Sequence, residues 1–109
     1  MEYMPVFKER IPYSANFRIA GSTFTFSFYY NAEGDFFTVD LEKNGEVLAR
    51  GEKITYLRPL FLTYLTENFP FRPIIPYDLS KKAERVGWDE LENEVFLFVL
   101  GGENDDVEA

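Results

Sequence analysis

Residues 17–41 alternate apolar and polar side chains with a period of two, and that spacing leaves room for little except antiparallel β structure. Phe17, Ile19, Phe24, Phe26, Phe28 and Tyr30 fall on one side of two extended segments; Arg18, Thr23, Thr25, Ser27 and Tyr29 fall on the other. Successive side chains of a strand point to opposite faces, so each segment has one apolar and one wetter face. After the turn-forming Asn31-Ala32-Glu33-Gly34 the alternation resumes as Phe37, Val39 and Leu41 against Thr38, Asp40 and Glu42. Strands are predicted over about 14–20, 23–30, 36–42 and 46–54. Gly21-Ser22 reads as a tight connection. Asn44-Gly45 predicts a two-residue type I′ hairpin, because both central positions need positive φ. Val47 and Ala49 are expected to share a face, with Gly51 at a bulge or a close backbone approach.

Beyond Tyr56 the pattern weakens. Phe61-Leu62-Thr63-Tyr64-Leu65 suits a strand or one helical turn. Pro70, Pro73 and Pro76 exclude a helix and a central strand over residues 66–78, which reads as an ordered, apolar, proline-rich loop. Residues 80–85 suit a single helical turn ended by Gly87, and Val95 opens an apolar run suited to a last strand buried on both sides. The expected division is an N-terminal arm at 1–12, a β-barrel domain at 13–100 and a disordered acidic tail at 101–109. Within the arm, Tyr3, Val6 and Phe7 suit a short docking strand. Hairpins, one long excursion and a returning last strand fit an all-β fold, best a small antiparallel OB-like Greek-key barrel, with an SH3-like roll or small sandwich behind it.

Composition narrows the chemistry. The 109 residues contain neither Cys nor His, which removes thiolates, the commonest general base and the commonest metal ligand. No cofactor, metal or catalytic set is expected. A net charge of -8 opposes nucleic-acid recognition, which rests largely on Lys and Arg. Lys81 and Lys82 are too few for a phosphate-tracking patch. No segment has the length and apolarity for a membrane span, and the start lacks an apolar signal core, so synthesis in a cytoplasm is expected.

The surplus lies in rings: 12 Phe and 7 Tyr. Rigid rings bury much area for little entropy lost and serve contacts as well as cores. Tyr29-Tyr30 and Phe36-Phe37 are adjacent pairs, so Tyr29 and Phe36 must face outward. With Phe69, Phe71 and Tyr77 of the proline-rich excursion they are the candidate protein-contact residues, for a subunit interface or for a loop folded over the barrel mouth. Trp88, the only Trp, suits a cap on the core better than a platform for a sugar or base. Asp89, Glu90, Glu92 and Glu94 read as a solvated turn rather than a catalytic or calcium-binding set.

Ile11-Pro12, the hairpin from Phe17 through Phe24-Thr25-Phe26-Ser27-Phe28-Tyr29-Tyr30-Asn31, and Phe36-Phe37-Thr38-Val39-Asp40-Leu41 together set a pattern. Asn44-Gly45-Glu46-Val47-Leu48 with Gly51, Pro59-Leu60, Tyr64-Leu65 and Val95-Phe96-Leu97-Phe98-Val99 continue it. In this pattern residues 11–100 resemble the baseplate plug family of phage contractile tails, described from a cyanophage as an OB-fold plug domain. Gly87-Trp88-Asp89-Glu90-Leu91 and the acidic tail depart from it. The resemblance implies a non-enzymatic virion protein on the tail axis, in contact with hub, spike and tube proteins and homo-oligomeric in the assembled particle. Two rivals compete with it. One is a ligand-binding barrel for carbohydrate or oligonucleotide that stacks on Trp88 and Tyr29; the other is a hydrolase using Asp89 and Glu94.

Overall fold

The computed structural model describes residues 2–62 and 72–101. Among the described residues seven strands run β1 (Glu2–Met4), β2 (Tyr13–Ile19), β3 (Ser22–Asn31), β4 (Phe36–Lys43), β5 (Glu46–Lys53), β6 (Ile74–Tyr77) and β7 (Phe96–Val99). They form a four-stranded antiparallel sheet in the order β2-β3-β4-β5 and a three-stranded one in the order β1-β7-β6. The long alternating segments thus become a meander of consecutive hairpins. Phe17 pairs with Phe24, Phe26 with Leu41 and Phe28 with Val39, all on the buried face.

The expected β strands match within a residue or two, and the Asn44-Gly45 hairpin is as anticipated. Asn44 and Gly45 have φ of 53° and 80°, and Lys43 pairs with Glu46 across them. The first turn centres on Ala20-Gly21, one residue earlier than read, since Ile19 already pairs with Ser22. The β4–β5 register shifts twice, once opposite Arg50 and Gly51 and once at Leu48. The Gly51 N–H leaves the ladder and donates to the Asp40 carboxylate at 2.7 Å. The shift at Leu48 breaks the period of two, so Val47 is exposed while Ala49 is buried, against the expectation of a shared face.

Among the described residues neither sheet closes on itself, so two open sheets stand where an OB-like Greek-key barrel was expected. Alternation fixes which face of a strand is apolar but not which edges pair. Here the N-terminal and last strands pair with each other and with β6, leaving β2 and β5 as the outer strands of the larger sheet. One hydrophobic cluster joins the layers: Phe26, Phe28, Phe37 and Leu41 from one sheet, Met4, Ile74 and Leu97 from the other.

The end of the proline-rich excursion is a strand, not a loop. Pro76 is compatible with β6 because β6 lies at a sheet edge, where a missing N–H costs no ladder bond. Its free side is partly covered, since the Leu57 and Leu60 N–H groups donate to the Pro76 and Ile74 carbonyls at 2.9 Å each. β7 is the middle strand of its sheet, with Leu97, Phe98 and Val99 all buried, as expected of a strand covered on both sides.

Residues 80–85 form no helical turn. The Asp78 carboxylate instead accepts from the Ser80 N–H and hydroxyl at 2.8 and 2.6 Å, and from the Lys82 and Ala83 N–H groups at 3.0 and 2.8 Å. A side chain that gathers this many local donors competes directly with a helix.

Candidate docking groove and aromatic sheet face

Tyr29 stands 42% exposed on the outer face of β3, and a groove of about 320 Å³ opens beside it. Tyr30, Trp88, Lys8, Glu9 and the Ile11-Pro12 pair complete its lining. The sequence-predicted Tyr29 and the separately weighed Trp88 are therefore brought to one place. Trp88 serves two ends at once. One side packs on the core, with its ring stacked 6.0 Å from Phe37 and tilted against Tyr30 at 5.0 Å, yet the residue keeps 36% of its surface exposed in the groove.

Asp35 fixes the segment that carries Trp88. Its Oδ1 accepts from the Trp88 N–H at 2.8 Å and the Tyr30 hydroxyl at 2.7 Å, while its Oδ2 meets Arg85 Nη1 at 2.8 Å. Arg85 also donates to the Asp35 carbonyl and reaches Glu90, whose Oε1 accepts from the Gly87 N–H at 2.8 Å. A side chain at residue 87 would push aside the tips of Arg85, Asp35 and Glu90, so a larger residue here would displace this network. Lys8 locks the other wall: Nζ donates to the Trp88 carbonyl at 2.6 Å and lies 5.3 Å from the indole centroid.

Electrostatics follow these contacts. The Trp88 N–H, the Tyr30 hydroxyl and Arg85 hold the Asp35 carboxyl at about 2, below its ordinary 3.8. The Ser80 hydroxyl and the Ala83 N–H lead in lowering Asp78, also to about 2. Burial raises Glu92, opposed by the Val6 N–H and Lys8, and among the described residues its buried Oε2 has no hydrogen-bond partner. Of the acidic run read as a solvated turn, then, Glu90 and Glu92 are structural, while Asp89 and Glu94 are exposed.

An acid titration follows with a defined sign. Asp35 and Asp78 stabilise the fold fully above their ordinary 3.8, and that contribution disappears as pH falls toward 2. Glu92 runs the other way, favouring the fold at low pH and losing that contribution as pH rises through its raised value. The urea midpoint is expected to rise slightly on acidification from neutrality and then to fall below about pH 4. Asp78→Asn should flatten the lower limb; an unchanged profile would contradict this assignment.

A second surface lies on the three-stranded sheet. Phe98 is buried yet lies outside the core cluster, because β7 turns Leu97 and Val99 inward and Phe96 and Phe98 outward. Tyr3 meets Phe96 at 4.8 Å and Phe98 at 6.3 Å, Tyr77 meets Phe98 at 6.4 Å, and Tyr56 stacks 6.3 Å from Tyr77. This sheet is apolar on both faces. Tyr77, a predicted contact residue, belongs here and not to the groove. Phe36 belongs to neither: its ring lies over Gly34, with Lys53 Nζ 4.8 Å from its centroid. Phe69 and Phe71 lie outside the described residues.

Asp35, Arg85 and Lys8 carried no sequence signal, and Glu92 was read as part of a solvated turn, because their partners are remote in the chain. Asp78 carried a usable signal, since Asp-x-Ser is a side-chain turn pattern. Among the described residues no group of three or more acidic side chains gathers as a metal site.

No curated protein and no solved structure matches the chain. The family model described as Cyanophage baseplate Pam3 plug gp18 matches residues 1–103. An aromatic-walled groove and a sheet apolar on both faces accompany that match, and the chain belongs to this cyanophage baseplate plug family.

Proposed function

We propose that the protein is a non-enzymatic structural component of a phage or phage-derived tail baseplate, made in the host cytoplasm and assembled into the virion. It plugs or connects the tail tube and the central hub and spike, and is homo-oligomeric in the particle. Family membership over residues 1–103 is the observation that carries this reading. The exposed rings of Tyr29 and Trp88 in the groove and of Tyr3 on the three-stranded sheet support it, because exposed rings gain by burial against a neighbour. In this reading residues 1–12 are an arm tied down through β1, 13–100 the body and 101–109 an acidic tail. Tyr29, Phe36, Phe69, Phe71 and Tyr77 are the contact residues.

The test separates folding from assembly. The double variant Tyr29→Ala/Tyr77→Ala is expected to fold with a near-native circular dichroism spectrum. Its incorporation into particles should fall by roughly tenfold or more, the loss of an interface anchor worth about 1.4 kcal/mol. Wild-type incorporation by that variant and by Phe36→Ala would contradict the assigned contacts. Tyr29 and Trp88 lining one groove favours a second reading, a module that binds carbohydrate or oligonucleotide by ring stacking. Saturable binding of either would support it.

A further inference from the structure

We propose that the free edge of β2 pairs with β2 of a second copy of this chain. The two strands run antiparallel, centred on Asn16, and join the two four-stranded sheets into one. This rests on the homo-oligomeric assembly argued above and names the surface that carries it.

The groups on that edge follow from the turn beside it. Ala20-Gly21 is a two-residue turn with φ positive at both positions, so Ile19 and Ser22 close it as a hydrogen-bonded pair. The β2–β3 register is unbroken, so Tyr13, Ala15, Phe17 and Ile19 aim their N–H and C=O groups at β3. Those of Ser14, Asn16 and Arg18 point outward from the sheet. All three residues are exposed, and among the described residues their backbone groups have no partner on that side.

The other edges are guarded. β5 is twice broken in register and carries Glu46, Arg50, Glu52 and Lys53. β6 contains Pro76, and its carbonyls already accept from the Leu57 and Leu60 N–H groups. β1 has three residues and runs straight into Pro5. β2 has seven residues, no bulge, no proline and a single charge, Arg18. A long, regular edge without such guards is a template for another strand.

The occupant is a second copy because β2 is complementary to itself. In the antiparallel register about Asn16, Asn16 faces its counterpart and Ser14 faces Arg18, so the outward N–H and C=O groups meet in pairs. Pro12, which has no N–H, and Ala20, at φ 53°, lie equally far to either side of Asn16 and end the pairing alike in both directions. Like charges do not meet, since each Arg18 lies opposite a serine. In a chain of net charge -8, the contact falls on a strand that holds no acid.

Sedimentation velocity of the full chain over a concentration series reads the pairing. The expected species is a dimer in reversible exchange with monomer. Ser14→Lys sets a lysine against Arg18 of the other copy and should weaken dimerisation several-fold. Ser14→Lys/Arg18→Glu makes that pair attractive and should restore it. Asn16→Pro removes an outward N–H that serves no bond within the chain, and should give a monomer with a near-native circular dichroism spectrum. Should that variant unfold, the charge pair decides alone. A monomer at every concentration overturns the proposal, as does a dimer or larger species that these variants leave intact. Failure of the charge swap to restore pairing overturns it too. Presence of the chain in purified particles is scored separately. A chain found in particles but monomeric in solution sinks the β2 surface alone. One that dimerises through β2 yet is absent from particles supports the surface and sinks the baseplate reading.

Discussion

Phe26→Ala is expected to leave the protein barely folded, at a cost of about 3–5 kcal/mol. Phe26 is fully buried in the middle of β3. Its ring meets Phe17 edge-on at 5.4 Å, stacks 6.3 Å from Phe28 and tilts 6.1 Å from Phe61, which follows the larger sheet. Truncation removes one ring that three others pack on, and strands pinned by pairing on both sides cannot collapse into the space. Against the roughly 5–15 kcal/mol that holds a small domain together, the loss is a large fraction of the whole. Urea titration should show the midpoint falling by about 2 M with little change in slope. A midpoint within a few tenths of a molar of wild type would mean that the core is organised otherwise. Phe26→Leu, which refills most of the space, should recover much of the loss.

Asp35→Ala is expected to loosen Trp88 without unfolding the sheets. The substitution strands the Trp88 N–H and the Tyr30 hydroxyl and leaves Arg85 with Glu90 and the residue-35 carbonyl, undoing a junction between segments fifty residues apart. Donors left without partners near a core are costly, whereas the Trp88–Phe37 stack remains. The thermal midpoint should fall by on the order of 5 °C, and the Trp88 emission should move to the red as the indole gains water. Asp35→Asn, which keeps one acceptor oxygen, should lie between. Wild-type emission in Asp35→Ala would show that Phe37 and Lys8 alone position the ring, and the carboxylate would lose its place in the groove.

Much of the larger sheet was legible because period two survives in it almost unbroken. Phe24, Phe26 and Phe28 had to share a face, and Asn44-Gly45 could hardly be anything except a tight hairpin. Strand pairing at long range was not legible. Nothing local in Glu2-Tyr3-Met4 says that it will lie against Leu97, Phe98 and Val99, and without that pairing a closed barrel looked the simplest way to hide the strand edges. Pro76 misled for a related reason: proline forbids a central strand, but only the topology shows that β6 is an edge. The site divides the same way. Adjacent rings forced Tyr29 outward, a local consequence, and the structure agrees. That Tyr29 would share a groove with Trp88 depended on Asp35, Arg85 and Lys8 drawing a distant loop onto β3, and no spacing in the chain encodes that approach.

A cryo-electron microscopy map of the intact tail tests the central claim most directly. The account predicts density for these two sheets on the tail axis, between the end of the tube and the central spike. The Tyr29–Trp88 groove and the Tyr77–Phe96 sheet face should both be covered by neighbouring subunits. Density at the periphery with both surfaces open to solvent, or a baseplate complete without this chain, would contradict it.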